Sequence, residues 1–249
     1  MCFSSVFQFK INFAGLLLLL FLSFIACENN RGEVKAERLK NMGIQNYYQN
    51  NYGEALDQLV KSIKIYSYFP EAHFYRIKTL LEIDQIEKAT EALDQYFDTQ
   101  AYDLIMSFDL SMEFFNRNYY SEAIRLFDLV IELDPNHQNA LINRGISFYT
   151  IDQPNKSYVD FTYVIDHLRP NIEVYVSRGV LLFNLSQFER AVLDFQNALS
   201  FDANDKDVHY YIGLSGLYLN DTELACGHII KAIELGHSKA NELYSQYCL

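Results

Sequence analysis

The chain has no tryptophan, and its 249 residues include only four prolines, ten glycines, four cysteines and six histidines. So little proline and glycine excludes collagen-like and low-complexity sequence and favours long regular elements. The histidines, at positions 73, 137, 167, 209, 228 and 237, show no metal-ligand spacing. A His-Glu-x-x-His motif, a Gly-rich phosphate loop and a Gly-x-Ser-x-Gly elbow are all missing, so no metal site, no cofactor and no catalytic constellation is expected. Bases are scarce as well: 20 Lys and Arg stand against 32 Asp and Glu, for a net charge of −12. A general nucleic-acid binder needs cations to displace phosphate counterions, so no nucleic-acid partner is expected. Adhesion to an anionic membrane surface by charge alone is excluded on the same ground. Apolar residues are plentiful: half of the chain is hydrophobic and 15% is aromatic, with 19 Tyr and 19 Phe. A chain of this size and composition can bury a large core.

Residues 1–26 carry one charge, Lys10, followed by a mostly apolar run from Phe13 to Ala26. That run of about fourteen residues is short for a spanning helix, which needs about twenty, and fits the core of a secretory signal. It closes on Phe24-Ile25-Ala26-Cys27 and turns polar at Glu28-Asn29-Asn30. A small residue directly before a cysteine, at the end of such a run, resembles the lipobox of bacterial lipoproteins, although Phe24 stands where Leu is commoner. The resemblance implies a signal peptide over 1–26, lipid on Cys27 and a polar tether through residue 35. The implied address is the bacterial cell envelope, lipid-anchored and facing the periplasm or the exterior. Loss of 1–26 removes Lys10 alone among the charges, taking the net charge from −12 to −13. Cys226 and Cys248 then remain, in a compartment that permits disulfides. Their spacing leaves two readings open, a bridge between the last two helices or two separate buried thiols.

The rest of the chain repeats. Ala55, Ala89, Ala123, Ser157, Ala191 and Ala225 recur at one constant interval, and each is followed four positions later by a large apolar residue: Leu59, Leu93, Phe127, Phe161, Phe195 and Ile229. A second column lies twelve positions earlier, at Gly43, Ile77, Ser111, Gly145, Gly179 and Gly213. Such a fixed period marks a repeat array whose units each amount to one supersecondary element. In 172–205, apolar positions recur at three and four from Val174 to Leu185, and a second helix runs from Phe188 to about Ser200. Gly on one helix and Ala on its partner let two backbones approach, and the residue four on fills the wedge between neighbouring units.

The 34-residue period, the Gly and Ala columns, Tyr52, Tyr120 and Phe188 at the openings of second helices, and Glu132-Leu133-Asp134-Pro135 closing the third unit together resemble the tetratricopeptide repeat (TPR). The resemblance implies an all-α, right-handed superhelical solenoid of six helix-turn-helix repeats, at 36–69, 70–103, 104–137, 138–171, 172–205 and 206–239, plus a capping helix at 240–249. Ile77, Ser157 and Pro154 depart from the family pattern.

In TPR arrays the first helices line a concave surface. Carried over by register, its columns are Tyr47, Leu81, Phe115, Tyr149, Phe183 and Leu217; Ile44, Lys78, Met112, Ile146, Val180 and Leu214; and Lys40, Phe74, Phe108, Ile142, Val176 and Tyr210. The groove set is therefore Phe108, Met112, Phe115, Ile142, Tyr149, Val180, Phe183 and Tyr210, with Asn116, Asn143, Ser177 and Asn184 beside it to hydrogen-bond a peptide backbone. The same spacing also suits core between repeats, so both readings stand. Arg144 with Asp160, and Arg178 with Asp194, hold equivalent places one repeat apart, which suits structural ion pairs rather than a catalytic couple. The family's carboxylate clamp for chaperone tails needs Lys, Asn and Arg together, and Ile44 stands where the Asn belongs beside Lys40. The resemblance implies a non-catalytic, membrane-tethered scaffold that binds a peptide or partner helix in its groove. Alternatives are a structural accessory lipoprotein of an envelope assembly, secretion or motility machine, and a regulator of a cell-wall enzyme.

Overall fold

The computed structural model describes the backbone from Phe13 to Leu249 and the side chains from Arg31 onward. Lys10 and the side chain of the proposed lipid acceptor Cys27 lie outside the described residues. Among the described residues there are thirteen helices and no strand, and none of these helices is long and apolar enough to cross a membrane.

The chain divides into two compact units, Met1–Met106 and Ser107–Leu249. The first holds α1 (Phe13–Tyr48), α2 (Tyr52–Ile65), α3 (Pro70–Glu82) and α4 (Ile86–Asp98). The second takes in most of α5 (Leu104–Asn116), then α6 (Tyr120–Leu133), α7 (Gln138–Thr150), α8 (Pro154–His167), α9 (Ile172–Asn184), α10 (Phe188–Leu199), α11 (Lys206–Tyr218), α12 (Thr222–Glu234) and α13 (Ala240–Tyr247). First helices from α3 onward begin one sequence period apart, and so do second helices from α2 to α12. Pro70 and Pro154 sit in the opening turn of α3 and α8, where a missing N–H leaves no helix bond unmade.

The turn between paired helices is equally regular. Asn50, Asp84, Asn118, Asp152, Ser186 and Asn220 all have positive φ, again one period apart. The N–H of the next residue then bonds back five positions, as in Gln187 to the Leu182 carbonyl at 2.9 Å and Asp221 to the Gly216 carbonyl at 2.9 Å. This closure satisfies the orphan carbonyls of the first helix and reverses the chain in a few residues. Asn and Asp tolerate the left-handed region better than most side chains.

Within each unit successive helices pack on one another, from α1 to α4 and from α6 to α13, and first helices also touch first helices of the next repeat: α1 with α3, α7 with α9, and α9 with α11. The small columns set the spacing. A Cβ on Gly179 would stand 2.6 Å from the Phe195 ring, and one on Gly216 would stand 2.8 Å from the backbone nitrogen of Ala225. Phe161 and Phe195 are enclosed as a result, each representing about 3–5 kcal/mol against truncation to Ala.

One stretch differs from the sequence reading. Residues 28–35, expected as a tether, belong to α1, which runs unbroken into the first repeat. No proline interrupts the stretch, and its helical form is continued by contact: Ala36 is fully buried and its carbonyl accepts a 2.7 Å bond from the Ser62 hydroxyl of α2.

Candidate partner-binding face

The groove residues named from sequence all fall in α5, α7, α9 and α11, but they separate into three environments. Ile142 is fully buried with Phe161, Val164 and Val174 and is core rather than groove. The reason is its register: the same helical face that turns toward the next repeat is covered by it. Phe108 and Tyr210, in the same column, are half-buried against the residues that close their own repeats. Phe108 has its ring 4.6 Å from His137, and Tyr210 stacks on His237 at 4.0 Å. These three members of the column are therefore taken up by packing, Ile142 against the next repeat and the two rings against the end of their own.

Tyr149, Val180, Phe183 and Asn184 form a continuous strip across α7 and α9. Tyr149 and Asn184 are exposed, and the Asn184 amide donates to the Tyr149 hydroxyl at 2.7 Å and to the Val180 carbonyl at 2.9 Å. Phe183 lies edge-on to Phe188, Tyr211 and Tyr218, at 5.4, 5.6 and 5.7 Å. Tyr218 in turn stacks on Phe188 at 4.5 Å. Asn143 and Ser177 are half-buried beside the strip, and the Asn143 amide donates to the Asn139 carbonyl at 2.8 Å. On α5, Met112 and Phe115 are half-buried and Asn116 is exposed; the Phe115 ring is spent on Tyr120 and Phe127. The strip on α7 and α9 is thus uncharged, aromatic and amide-bearing, which suits a polypeptide with apolar anchors and a backbone to hydrogen-bond.

Tyr211 and Tyr218 were not legible as part of this strip, although Tyr218 stands one repeat after Asn184 and could have been found by that register. A cavity of about 440 Å³ continues the strip beyond α11. It is lined by Leu214, Leu217 and Tyr218 of that helix and by Leu243 and Tyr247 of α13. Cys226 and Cys248 are joined in a disulfide that ties the end of α13 to α12.

The two Arg–Asp couples are packing devices. Arg144 of α7 grips Asp160 of α8 through two bonds of 2.9 and 2.7 Å and reaches back to Asp128 of α6 at 2.7 Å. Arg178 of α9 grips Asp194 of α10 at 2.8 and 2.8 Å and reaches back to the Thr162 hydroxyl of α8 at 3.2 Å. Each guanidinium therefore clamps its own repeat and holds it to the one before, with the planar fork geometry that makes such pairs strong. Burial pushes the Asp160 carboxyl up, and the Arg144 contacts pull it part of the way back. Among the described residues no three His, Cys, Asp or Glu side chains gather as metal ligands would.

The tetratricopeptide-repeat profile matches residues 172–205, the α9–α10 pair with its Gly179, Ala191 and Phe195. The C-terminal part of a TPR repeat-containing protein from Cytophaga hutchinsonii superposes with a TM-score of 0.65 at 17% identity, over 84% of this chain and 87% of that one. The chain carries a tetratricopeptide repeat and has the all-α fold of TPR arrays. A second TPR structure, YrrB, described as having an unusual peptide-binding site, gives a TM-score of 0.60 at 16% identity, over 75% of this chain and 97% of its own. Among curated proteins the wheat (Triticum aestivum) Hsp70-Hsp90 organizing protein is 24% identical over 164 residues, 63% of this chain. The chain spans 28% of that relative's length.

Proposed function

We propose that this protein is a non-catalytic scaffold held at a bacterial membrane by lipid on Cys27, and that it binds a peptide or partner helix along the α7–α9 strip. The observation that carries the reading is the uncharged aromatic strip in which Asn184 and Tyr149 bridge two repeats through one 2.7 Å bond. Repeat arrays present extended faces of this kind to other polypeptides. The Cys226–Cys248 disulfide supports an oxidising compartment, in keeping with an envelope address. The chaperone-organising role of the wheat relative is not carried over, because Ile44 replaces the Asn that a carboxylate clamp requires.

The test is affinity capture from solubilised membranes with the full chain, comparing the natural sequence with Tyr149→Ala/Asn184→Ala. Both residues are exposed, so the fold is expected to survive and partner recovery to fall at least tenfold. Undiminished recovery would refute the strip as the binding face. Release of a Cys27→Ser variant from the membrane fraction is the parallel expectation for the anchor.

A further inference from the structure

His73 of α3 is 2% exposed, and its Nε2 faces the Ser67 carbonyl at 3.0 Å. The other ring nitrogen, Nδ1, is buried and meets no hydrogen-bond partner among the described residues. The same histidine recurs four repeats on as His209, whose Nε2 faces the equivalent carbonyl, that of Ala203, at 3.1 Å. There the chain answers the second nitrogen itself, because Nδ1 of His228 lies 2.9 Å from Nδ1 of His209. Moved back by four periods, His228 becomes Ala92, which has nothing to donate. A buried acceptor without a donor is costly, so a group that brings a proton to it is favoured. Burial lowers the His73 pKa below 6.5, and the charge of Arg76 lowers it further. Near neutral pH the ring is therefore uncharged, with a proton on Nε2 for the Ser67 carbonyl and a lone pair on Nδ1.

His73 lines a cavity of about 240 Å³ within the first compact unit, bounded by the end of α2, the turn before α3 and the last turn of α4. Asp98 is the charged side chain of that lining, and it is exposed. The Gln95 amide oxygen is engaged by the Arg76 guanidinium at 2.5 Å, and the Thr99 hydroxyl donates to the Tyr96 carbonyl at 2.8 Å. Arg76 does not line the cavity; it is turned to Gln95 and drawn by the charge of Glu91. Ile63 and the 61% exposed ring of Tyr68 complete the wall. We infer that this cavity binds a primary alkylammonium group, which donates to His73 Nδ1 and to the Asp98 carboxylate and lays its alkyl stem on Ile63 and Tyr68. An ammonium carries three donors on a compact head, and an aromatic face beside it adds attraction. The net charge of −12 favours its approach. Such a head group comes either from a lysine side chain of a polypeptide or from a free amine. The site is separate from the α7–α9 strip and stands or falls without it.

The test follows the His73 ring nitrogens by NMR in the full chain, labelled at histidine and held in detergent, with His73→Gln identifying the signal. Titration with n-butylammonium is expected to shift the Nδ1 signal to saturation. Butyltrimethylammonium has the same charge and no N–H, and is expected to bind at least tenfold more weakly. Ala92→His supplies the chain's own donor and is expected to abolish the response. Asp98→Asn changes an exposed side chain, so the fold is kept should the first variant misfold, and it is expected to weaken butylammonium at least tenfold. A Nδ1 signal that butylammonium leaves unmoved, equal binding of the two cations, or full binding in Asp98→Asn overturns the inference. Given binding, tighter association of 1,4-diaminobutane than of Nα-acetyl-lysine methylamide assigns the site to a free amine, and the reverse order assigns it to a polypeptide lysine. Tyr149→Ala/Asn184→Ala is expected to leave every one of these responses intact.

Discussion

At each turn between paired helices one residue is held at positive φ, and five of the six are Asn or Asp; the sixth is Ser186, at φ 58°. Serine gains nothing from that conformation, whereas glycine adopts it without a Cβ clash. Ser186→Gly is therefore expected to stabilise the fold by roughly 0.5–1 kcal/mol, read as a higher urea midpoint with an unchanged slope. The histidines carry a pH dependence. His73 and His209 occupy equivalent positions four repeats apart, and each Nε2 faces a carbonyl of the preceding turn, Ser67 at 3.0 Å and Ala203 at 3.1 Å. A proton on Nε2 leaves Nδ1 of His209 as the acceptor for the Nδ1–H of His228, 2.9 Å away. Burial lowers the His228 pKa below 6.5, and repulsion from His209 lowers it further. Burial also lowers His73. The unfolded chain then takes up protons that the folded chain refuses, so stability is full above about pH 6.5 and falls as the pH drops through the folded values. Denaturant midpoints at about pH 7.5 and about pH 5 are expected to differ in that direction, and His228→Gln is expected to narrow the gap.

At the scale of the helix, the clamps and the cap decide how repeats stay in register. Asp194 has 4% of its side chain exposed and Arg178 has 15%. Asp194→Ala strands a half-buried guanidinium between α9 and α10, at an expected cost of about 3–5 kcal/mol. Replacing the pair together, Arg178→Met with Asp194→Leu, is expected to cost far less, and equilibrium unfolding of the three variants distinguishes a true clamp from an incidental pair. The disulfide joins positions separated by 22 in sequence and closes a loop around α13, a constraint of about 2–4 kcal/mol. Reduction is expected to lower the unfolding midpoint and to speed hydrogen exchange in 240–248 ahead of α9 and α10. Unchanged exchange there would show that Ala240, Leu243 and Tyr244 hold the cap without it.

For the whole molecule, the sequence carried most of the architecture because register is a one-dimensional property. The Gly and Ala columns located the paired helices, and Phe161 and Phe195 were legible as wedge fillers from spacing alone. Burial of Ile142 was not legible, because a column says which way a side chain points and not whether the next repeat covers it. The Asn184–Tyr149 bridge is offset by one position from the period, so column-by-column reading passed over it. The disulfide stayed open in sequence because spacing does not report that the two Cα atoms lie 5.6 Å apart. The helical form of 28–35 was hidden by its polar composition, which suits a tether and an exposed helix equally.

The central claim is that partners meet the first-helix face. Site-specific photo-crosslinking in intact cells tests it directly, with a benzophenone side chain placed either at Tyr149 on α7 or at Val159 on α8, both exposed. The expected result is a discrete crosslinked product from position 149 and none from position 159. Products from 159 alone, or the same products from both, would contradict it.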